Sequence, residues 1–596
     1  DVETFWRSLV EGVDSATGAP ADRWAADAGP VPPGHFLEAV DRFDADFFGI
    51  APEEAAYMSP QQRLLLTHAW KAVEDAGIAP RTLAQSPTGV FIASVPSEYL
   101  NAMASVRDVP LVVTGLSTSM IPNRISHSLN LRGPSEHCDT ACSSTLVALH
   151  RAVQAIRNGE CRQALVGAVN LLLTPAGYIG FESMGYLSEK ARMAAFEPGA
   201  SGFVRAEGVG VVLLKPVQQA IADGDHVYAV IRGSGVSHGG SAVSMTTPNG
   251  AGMKEAMRQA YEASGIDPAS VTYVEAHGIG SPLGDAIELN ALKAQYEASA
   301  DAAAPCRVGS AKPCVGYAEV ASGMVSLFKV LMAMRHATLP GIPGFAGLHE
   351  NISLKNSRLR LEADNQPWEP PRDDNGQAPP RRAAINNYGF SGVNAHLVLE
   401  EYRPAPRAAQ PPREELVVLS ARTSARLQAN ARQLIAAMER DPALTLGDVA
   451  FTLQLGREPM SARLAVVTDD RDALLQALRH YLDGQAAPGE AALFVGSADK
   501  KAAARDAERA AQLARAGRLQ ELAALWVAGG AAPFELLERG PVRRVSLPGQ
   551  ALEEKRFWVE DATGLSALHG ARRKPSRRGR VREGREAREA AGVEST

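Results

Sequence analysis

The first candidate for chemistry in this sequence is Cys142, which stands just before an amphipathic run. Residues 139–144 read D-T-A-C-S-S, and the apolar spacing that follows, to about Asn158, predicts a helix. Asp, Thr and Ser are typical of helix starts. Because the unpaired N–H groups and the dipole of a helix start favour negative charge, we expect Cys142 to have a lowered thiol pKa and to act as a nucleophile.

A buried structural cysteine is the alternative interpretation, and for a cysteine without further context it is the better one. We assign that role to the remaining cysteines of the chain, which are Cys138, Cys161, Cys306 and Cys314. The five cysteines are an odd number without C-x-x-C spacing, a pattern that excludes a zinc module and disfavours a disulfide framework. A reducing cytoplasm is therefore the expected compartment.

A second candidate is His277, which follows a strand-like run and precedes a glycine-rich turn. A strand that ends in this way presents an imidazole at a sheet edge, where ligands commonly bind in α/β folds. The glycines at 278–284 superficially resemble a dinucleotide-binding loop, but Leu283 occupies the last glycine position and Pro282 interrupts the turn. Without partners, an ordinary hydrogen-bonded histidine is the preferred interpretation.

The third candidate is the glycine-flanked loop at residues 388–396, which reads Y-G-F-S-G-V-N-A-H and leads into a strand-like run. Such a loop exposes backbone N–H groups that can serve as an oxyanion hole. Taken alone, the loop predicts no more than a tight turn.

Alternating elements must hold these candidates in place. Over the first 400 residues, strand-like runs such as Gln163–Leu173 and Gly208–Leu214 alternate with helical runs such as Gln61–Gly77. Strands separated by helices of about 10–15 residues predict α/β layers around a buried sheet.

The rest of the chain divides into shorter segments. A Pro- and Arg-rich stretch at residues 403–413 predicts a linker, and residues 414–500 predict a small α/β unit. Residues 501–562 contain an Ala- and Arg-rich helical segment. The tail at residues 563–596 has almost no large apolar side chains, so we expect it to be disordered.

Composition narrows the class of protein further. With 596 residues the chain is long enough for two or more folding units, and its net charge of −6 argues against a general nucleic-acid binder. No apolar stretch reaches the ~18–20 residues of a membrane helix, and the N-terminus lacks a signal-peptide pattern. We therefore expect no nucleic-acid partner and no membrane span.

Together, the three candidate motifs resemble the ketosynthases (beta-ketoacyl synthases) of fatty acid and polyketide synthases. Residues 139–144 match the nucleophile motif of that family, His277 matches its H-G-T-G-T motif, and residues 388–396 match its closing N-A-H motif. The order and spacing of the motifs agree over residues 1–402. The resemblance implies an α/β thiolase fold of five layers, α-β-α-β-α, with Cys142 on a buried central helix and a homodimer as the assembly.

The region after residue 413 resembles the flanking subdomain that follows polyketide ketosynthases. Residues 544–548 and 556–558 resemble the linker that wraps back over the pair, and no acyltransferase domain separates these parts. That arrangement is similar to the trans-acyltransferase assembly lines. The chain starts at a point that looks internal to the ketosynthase, so we expect the opening strand of the family to be missing and the sequence to be a fragment of a larger synthase.

The resemblance also assigns roles to residues of this chain. Cys142 would be the nucleophile, the N–H groups of Cys142 and Phe390 would form the oxyanion hole, and His277 would bind the carbonyl of a malonyl thioester. Ser281 and Ile279 occupy positions that reach the pantetheine arm, and Ile279 lacks a hydroxyl to do so. The residues expected to support the site structurally are Glu319, Asn394 and Gly389. No metal and no bound cofactor are implied, since the substrates are phosphopantetheine thioesters on acyl carrier proteins.

One position departs from the family pattern at a second catalytic histidine. The family motif K-S-N-I-G-H-L-E corresponds here to residues 312–319, in which Lys312, Gly316 and Glu319 persist and Tyr317 stands where the histidine is expected. The resemblance places Lys312 and Tyr317 among the catalytic residues. A phenol can donate a hydrogen bond, but with a pKa near 10 it is not an acid or base at neutral pH. Losing one donor on a developing oxyanion costs about 2.7–4 kcal/mol.

Three functions follow from this departure. The first is a non-elongating ketosynthase that moves an acyl chain through Cys142 by transacylation. The second is a condensing enzyme that extends the chain with malonyl carrier protein, using His277 and Tyr317 as mixed donors. The third is a catalytically inactive dimeric scaffold. All three imply acyl carrier proteins and neighbouring synthase domains as partners.

Overall fold

The computed structural model describes most of the chain. The described residues are 1–21, 23–24, 31–102, 111–296, 304–369, 372, 376–407, 412–485, 491–498 and 506–559. The tail predicted to be disordered, residues 563–596, lies outside them, as do residues 408–411 of the predicted linker, part of the 414–500 unit (486–490 and 499–500) and two short stretches of the 501–562 segment (501–505 and 560–562).

The helices are named in chain order. They are α1 Val2–Glu11, α2 Pro52–Tyr57, α3 Pro60–Asp75, α4 Tyr99–Ala102, α5 Leu111–Leu116, α6 Met120–Ser128, α7 Ser144–Arg157, α8 Ala176–Ser183, α9 Val217–Ala222, α10 Gly250–Ser264, α11 Pro282–Tyr296, α12 Lys312–Val315, α13 Ser322–His336, α14 Ser424–Arg440, α15 Leu446–Leu455, α16 Arg471–Asp483, α17 Ala507–Arg515 and α18 Leu519–Val527.

The strands are named in the same way. They are β1 Arg42–Phe43, β2 Thr88–Ala93, β3 Ser135–Cys138, β4 Gln163–Asn170, β5 Gly208–Leu214, β6 Ala229–His238, β7 Tyr273–Glu275, β8 Cys306–Gly309, β9 Thr338–Leu339, β10 Leu359–Arg360, β11 Gln366–Pro367, β12 Arg382–Tyr388, β13 Val393–Glu401, β14 Glu415–Ala421, β15 Ala462–Thr468, β16 Ala492–Ser497 and β17 Lys555–Arg556.

Two large sheets organise the described part of the first 400 residues, beside a two-stranded pairing of β9 and β11. The N-terminal sheet has the strand order β3-β2-β4-β5, in which only β5 runs antiparallel to its neighbour. The C-terminal sheet has the order β10-β8-β7-β12-β13-β6, with parallel pairing from β10 to β12 and antiparallel pairing beyond it. Parallel pairing requires crossover helices, and these cover both faces of each sheet.

Two helices, α7 and α13, separate the sheets and contact both of them. Their buried side chains share one apolar core with the inner faces of the sheets, which includes Leu149, Val166, Leu327 and Leu397. On the outer faces α3 covers the N-terminal sheet, while α10 and α11 cover the C-terminal sheet. The five-layer α-β-α-β-α architecture predicted from the sequence is thereby confirmed.

The strand predicted over Gln163–Leu173 is shorter than expected, because β4 ends at Asn170. Beyond that residue, backbone N–H groups bond to side-chain carboxylates instead of to a neighbouring strand. The N–H of Leu172 donates to Glu207 at 2.8 Å, and the N–H of Leu173 donates to Glu98 at 2.9 Å. A pattern of apolar residues alone does not show where backbone N–H groups change from a neighbouring strand to a side-chain acceptor.

The chain after residue 413 builds a smaller α/β unit with its own core. Its sheet has the order β14-β15-β16 with antiparallel pairing, and α14, α15 and α16 pack against it. Helices α17 and α18 join the same core, as do Val545 and Leu547 from the following segment.

The last described residues return to the beginning of the chain. Strand β17 pairs with β1 in antiparallel register, with Arg556 opposite Arg42. The N–H of Val559 donates to the Tyr99 hydroxyl at 2.7 Å, and the Arg63 guanidinium donates to the carbonyl of Phe557. These contacts fasten the C-terminal segment to the outer helical layer of the N-terminal sheet.

In the part of the chain that the structure describes, no helix combines the length and apolar character required to cross a lipid bilayer. The five cysteines are all free thiols.

Candidate active site

Cys142 lies in a sharp turn between β3 and α7. Ala141 adopts a left-handed backbone with φ 56°, a conformation that costs a non-glycine residue about 1 kcal/mol or more. The turn is held by the N–H of Thr140, which donates to the Ser144 hydroxyl at 2.8 Å, and by the N–H of Ala141, which donates to Asp139 at 3.0 Å. The turn presents the thiol directly before the first helical residue, Ser144.

The surroundings of the thiol are apolar, and this contradicts the predicted direction of its pKa. Cys142 is 9% exposed and packs with Met193, Phe203, Val204 and Tyr317. Burial raises the thiol pKa above its ordinary value, and hydrogen bonds from the Tyr317 hydroxyl and the backbone oppose that rise. The expectation of a lowered thiol pKa was wrong, because the cost of burying the thiolate outweighs the favourable effect of the helix start. The sequence shows only the helix start.

Two backbone N–H groups face the sulfur, namely those of Phe390 and of Cys142 itself, and both lower its pKa. The Phe390 N–H is brought there by the β12–β13 hairpin, in which the N–H of Gly389 donates to Val393 O at 2.7 Å. The side chain of Phe390 is about half exposed. The pair of N–H groups is the arrangement that a tetrahedral oxyanion requires.

Gly389 is the residue that permits this close approach. A Cβ atom at Gly389 would lie 2.6 Å from the carbonyl oxygen of Thr140 and 3.0 Å from the Ser143 hydroxyl. We expect Gly389→Ala to displace the Phe390 N–H and to slow acylation of Cys142 by about 10²–10³-fold, as measured by intact-protein mass spectrometry. Gly18→Ala, whose Cβ would meet nothing within 4 Å, is the control. A Gly389→Ala rate within about threefold of the unsubstituted protein would contradict this role.

Tyr317 is fixed on both sides by backbone pairing. Its N–H donates to Val204 O at 2.8 Å, and its carbonyl accepts from the N–H of Ala206 at 2.9 Å. The ring lies edge-on to Phe203 at 5.1 Å and to His277 at 5.6 Å between centroids. These contacts direct the phenol into the apolar pocket of Cys142.

The Tyr317 hydroxyl is buried without a hydrogen-bond partner among the described residues, and Tyr317 packs with Cys142 in one apolar cluster. Burial first, and the neighbouring thiol second, raise the phenol pKa well above its usual value. Tyr317 therefore stays protonated near neutral pH and acts as a hydrogen-bond donor.

His277 follows β7 and lies between two aromatic rings. Its ring centroid is 5.6 Å from that of Tyr317 and 5.6 Å from that of Tyr388, and its Nδ1 lies 3.4 Å from Nδ2 of Asn387. Burial, with a smaller contribution from Lys312, holds the imidazole pKa well below its usual value. A neutral ring that accepts from Asn387 at Nδ1 carries its proton on Nε2, where it can be donated to a substrate oxygen.

Two carboxylates that the sequence analysis assigned no role hold the turn after His277. Glu288 accepts the N–H groups of His277 and Gly278, both at 2.8 Å, and Asp285 accepts that of Phe196 at 2.7 Å. Burial raises the pKa of Asp285 to about 7. The sequence does contain a signal that indicates their role: Asp285 and Glu288 are acidic residues one helical turn apart on α11, directly after the glycine-rich turn.

Lys312 and Glu319 lie at the two ends of the segment that carries Tyr317. The Lys312 ammonium is buried without a hydrogen-bond partner among the described residues, lies 5.7 Å from the Tyr317 ring centroid, and has its pKa lowered by burial. Glu319 accepts from Arg205 Nε at 2.7 Å, and Arg205 in turn lies over the rings of Tyr178 and Phe181.

The remaining predicted site residues lie at different distances from the thiol. Ile279 is half-buried and packs on the apolar cluster around Cys142. The Ser281 hydroxyl instead accepts from the N–H of Gly284 at 3.3 Å, at the start of α11. Asn394 is buried and donates to Gly392 O at 3.2 Å, which supports the hairpin of Phe390. Among the described residues, no group of three or more His, Cys, Asp or Glu side chains is placed to hold a metal ion.

Three protein-family models match this chain. They are described as beta-ketoacyl synthase, N-terminal domain, at residues 1–220; beta-ketoacyl synthase, C-terminal domain, at residues 228–346; and RhiE-like, KS-MAT linker domain, at residues 418–485. The first two together cover Cys142, His277 and Tyr317.

Curated relatives and solved structures agree with these matches. Polyketide synthase PksR of Bacillus subtilis is 46% identical over 587 residues, covering 94% of this chain, and ThaG of Burkholderia thailandensis is 50% identical over 427 residues, covering 69%. The chain spans only 22% and 8% of the lengths of these two proteins. The ketosynthase from module 6 of the Bacillus subtilis bacillaene synthase has a TM-score of 0.84 at 36% identity, with 94% of this chain and 97% of that structure covered. An oxazolomycin ketosynthase domain of Streptomyces albus, OzmH KS7, also has a TM-score of 0.84 at 36% identity, with 95% and 97% covered.

Proposed function

The chain belongs to the ketosynthases of polyketide synthases, and on that premise we propose that it transfers an acyl chain through Cys142 without extending it. In this proposal the acyl group arrives on the phosphopantetheine of one acyl carrier protein and leaves on another. The observation that carries it is the packing of Tyr317 against Cys142, at the position where the family has its second histidine. The domain boundaries and the residue roles predicted from the sequence belong to the same proposal.

The acyl-transfer half of the reaction is supported by the turn around Cys142. The thiolate attacks the thioester carbonyl, the bond from carbon to the pantetheine sulfur breaks, and the released pantetheine thiolate takes up a proton. The N–H groups of Cys142 and Phe390, which lower the thiol pKa, are the donors that we propose for the tetrahedral oxyanion. The Tyr317 hydroxyl opposes the rise of the thiol pKa that burial causes, and it therefore favours the thiolate that starts this step.

The condensation half is disfavoured by the same geometry. Decarboxylation of a malonyl thioester needs donors on the enolate oxygen, and His277 supplies one through Nε2. The hydroxyl of Tyr317 interacts with Cys142 instead, and its raised pKa prevents it from serving as an acid near neutral pH. The missing donor corresponds to about 2.7–4 kcal/mol of barrier.

A condensing enzyme is the second candidate, and one observation favours it. The Tyr317 hydroxyl is protonated, buried and without an oxygen or nitrogen partner among the described residues. A malonyl group bound beside His277 would offer it an acceptor, and His277 and Tyr317 would then act as mixed donors. The third candidate, an inactive scaffold, is disfavoured because this proposal retains Cys142 as nucleophile and the two backbone N–H groups as donors.

The test is a two-stage incubation followed by mass spectrometry. After addition of an acyl carrier protein substrate, we expect an acyl mass on Cys142; after addition of malonyl carrier protein, we expect no β-ketoacyl product. Tyr317→His is expected to raise product formation by about 10²–10³-fold, because it restores an imidazole donor. Robust condensation by the unsubstituted protein would refute the proposal, and no gain in Tyr317→His would favour the mixed-donor enzyme.

We further propose that the chain acts as a homodimer in the cytoplasm, within an assembly line that receives its extender units from a separate acyltransferase. The edge strand β3 supports the dimer, since β2 is its only described neighbour and its other edge is open to a second copy. The short distance along the chain from β16 to α17 supports the separate acyltransferase. Acyl carrier proteins and neighbouring synthase domains are the partners in this proposal.

A further inference from the structure

His35 and Tyr317 lie on opposite sides of the same extended segment, residues 204–207. The N–H of His35 donates to Arg205 O at 2.9 Å, and the His35 carbonyl accepts from the N–H of Glu207 at 2.8 Å. From the other side Tyr317 pairs with Val204 and Ala206. The backbone therefore forms a small three-stranded ladder in which His35 and Tyr317 are the two outer residues.

The ring of His35 extends across this ladder to the residue before Tyr317. Gly316 has a φ of 71°, and a Cβ atom there would lie 2.3 Å from His35 Cδ2 and 3.0 Å from its Cγ. Such distances mean that the imidazole is in direct contact with the Gly316 backbone. His35 is only 6% exposed, so the ring has little freedom to move away.

The imidazole is itself fixed by a serine that also bonds to the Tyr317 segment. The Ser15 hydroxyl lies 2.8 Å from His35 Nδ1 and donates to Cys314 O at 3.3 Å, while the Ser15 N–H donates to the same carbonyl at 3.2 Å. The carboxylate of Asp14 lies 3.6 Å from Nε2 on the other side of the ring. Cys314 and Gly316 are thus both restrained from one side.

We infer that His35 is a positioning residue which, with Ser15, holds the Tyr317 hydroxyl against the thiol of Cys142. The hydroxyl has no oxygen or nitrogen partner of its own among the described residues, so its position depends on the backbone that carries it. The far end of that backbone is fixed separately by the Glu319–Arg205 ion pair. Removing the His35 ring frees the near end.

The inference concerns the site of the proposed function, but its test measures thiol reactivity and does not depend on acyl transfer. The Tyr317 hydroxyl and the backbone N–H groups of Phe390 and Cys142 lower the thiol pKa, the Glu319 carboxylate raises it, and His277 lies beside Tyr317. The rate of alkylation of Cys142 by iodoacetamide, followed by peptide mass spectrometry over a pH series, reports the fraction of thiolate.

Tyr317→Phe removes the hydroxyl that opposes the rise of the thiol pKa on burial, so alkylation near pH 8 is expected to slow by about two- to tenfold and the pH profile to move upward. His35→Ala is expected to give the same change, and the double variant no more than either single variant. His35→Phe keeps a flat ring against Gly316 and is expected to retain the original profile. Ser15→Ala, at an exposed residue, is expected to give part of the His35→Ala change.

His68→Gln, at a half-buried histidine on α3, is the control and is expected to leave the profile unchanged. If His35→Ala unfolds, Ser15→Ala and His35→Phe still decide the question in the folded protein. An unchanged profile in both His35→Ala and Ser15→Ala, or effects of His35→Ala and Tyr317→Phe that simply add, would overturn the inference. If the alkylation profiles change as expected but acyl transfer fails, the proposed function is wrong and the positioning role of His35 stands.

Discussion

Cys142→Ala is expected to abolish acyl loading, with a rate at least about 10⁴-fold below that of the unsubstituted protein. The sulfur is the only nucleophile that the turn at Ala141 presents to the two N–H groups, and alanine leaves those donors without a reacting atom. Incubation with an acyl carrier protein substrate and intact-mass analysis measures the effect directly. Because Cys142 is buried in an apolar cluster, the smaller side chain is not expected to prevent folding.

The matched control is Cys306→Ala, which removes another fully buried thiol, in the outer core of the C-terminal sheet. It is expected to load the acyl group at the unsubstituted rate. If Cys142→Ala still gains the acyl mass, the nucleophile has been assigned to the wrong residue. Loss of loading in Cys306→Ala alone would point to the same error.

The second large effect is expected from Glu275→Gln, which breaks a buried ion pair behind the site. Glu275 lies 2.9 Å from Lys329 Nζ, and the two side chains are 0% and 1% exposed. The same carboxylate accepts the Tyr273 hydroxyl at 2.5 Å and the N–H of Ala311 at 2.6 Å. Without the carboxylate, the Lys329 ammonium is left buried and unpaired, which typically costs about 3–5 kcal/mol of unfolding free energy.

Denaturant unfolding measures this loss, and two further variants define its cause. The double variant Glu275→Gln with Lys329→Met removes both charges and is expected to be more stable than Glu275→Gln alone. Glu255→Gln breaks an exposed pair with Arg258 on α10 and is expected to change the unfolding free energy by less than about 1 kcal/mol. A Glu275→Gln value as small as that of Glu255→Gln would contradict the account.

The elements that position the site could be predicted because their signals are local. Strand β5 has the bounds Gly208–Leu214 that its β-branched run predicts, and α7 ends within one residue of the predicted Asn158. The order of the motifs also allowed Cys142, His277 and Tyr317 to be grouped before any coordinate was known. In the structure Cys142 and Tyr317 share one cluster, and His277 lies beside it.

The electrostatics of the site could not be predicted, because they depend on contacts between distant parts of the chain. The thiol pKa is set by residues such as Met193 and Phe203, which no spacing rule connects to Cys142. The acceptors for the turn after His277 lie on α11, and the imidazole that contacts Gly316 lies 281 positions earlier in the chain, at His35. The spacing of residues along the sequence does not show which residues so far apart in the chain come into contact.

The contacts of residues 555–559 with residues 42–99 define a unit that must stay together when related ketosynthases are recombined. The carbonyl of Phe557 accepts from Arg63, whose side chain is fully buried, and the N–H of Val559 reaches Tyr99. In a chimera joined upstream of Gly540, Phe557 and Val559 would be replaced by residues of another sequence. The buried Arg63 guanidinium would then depend on that sequence for its acceptor. A cassette that keeps residues 1–559 from one donor preserves the closure, so the favoured crossover point lies after Val559.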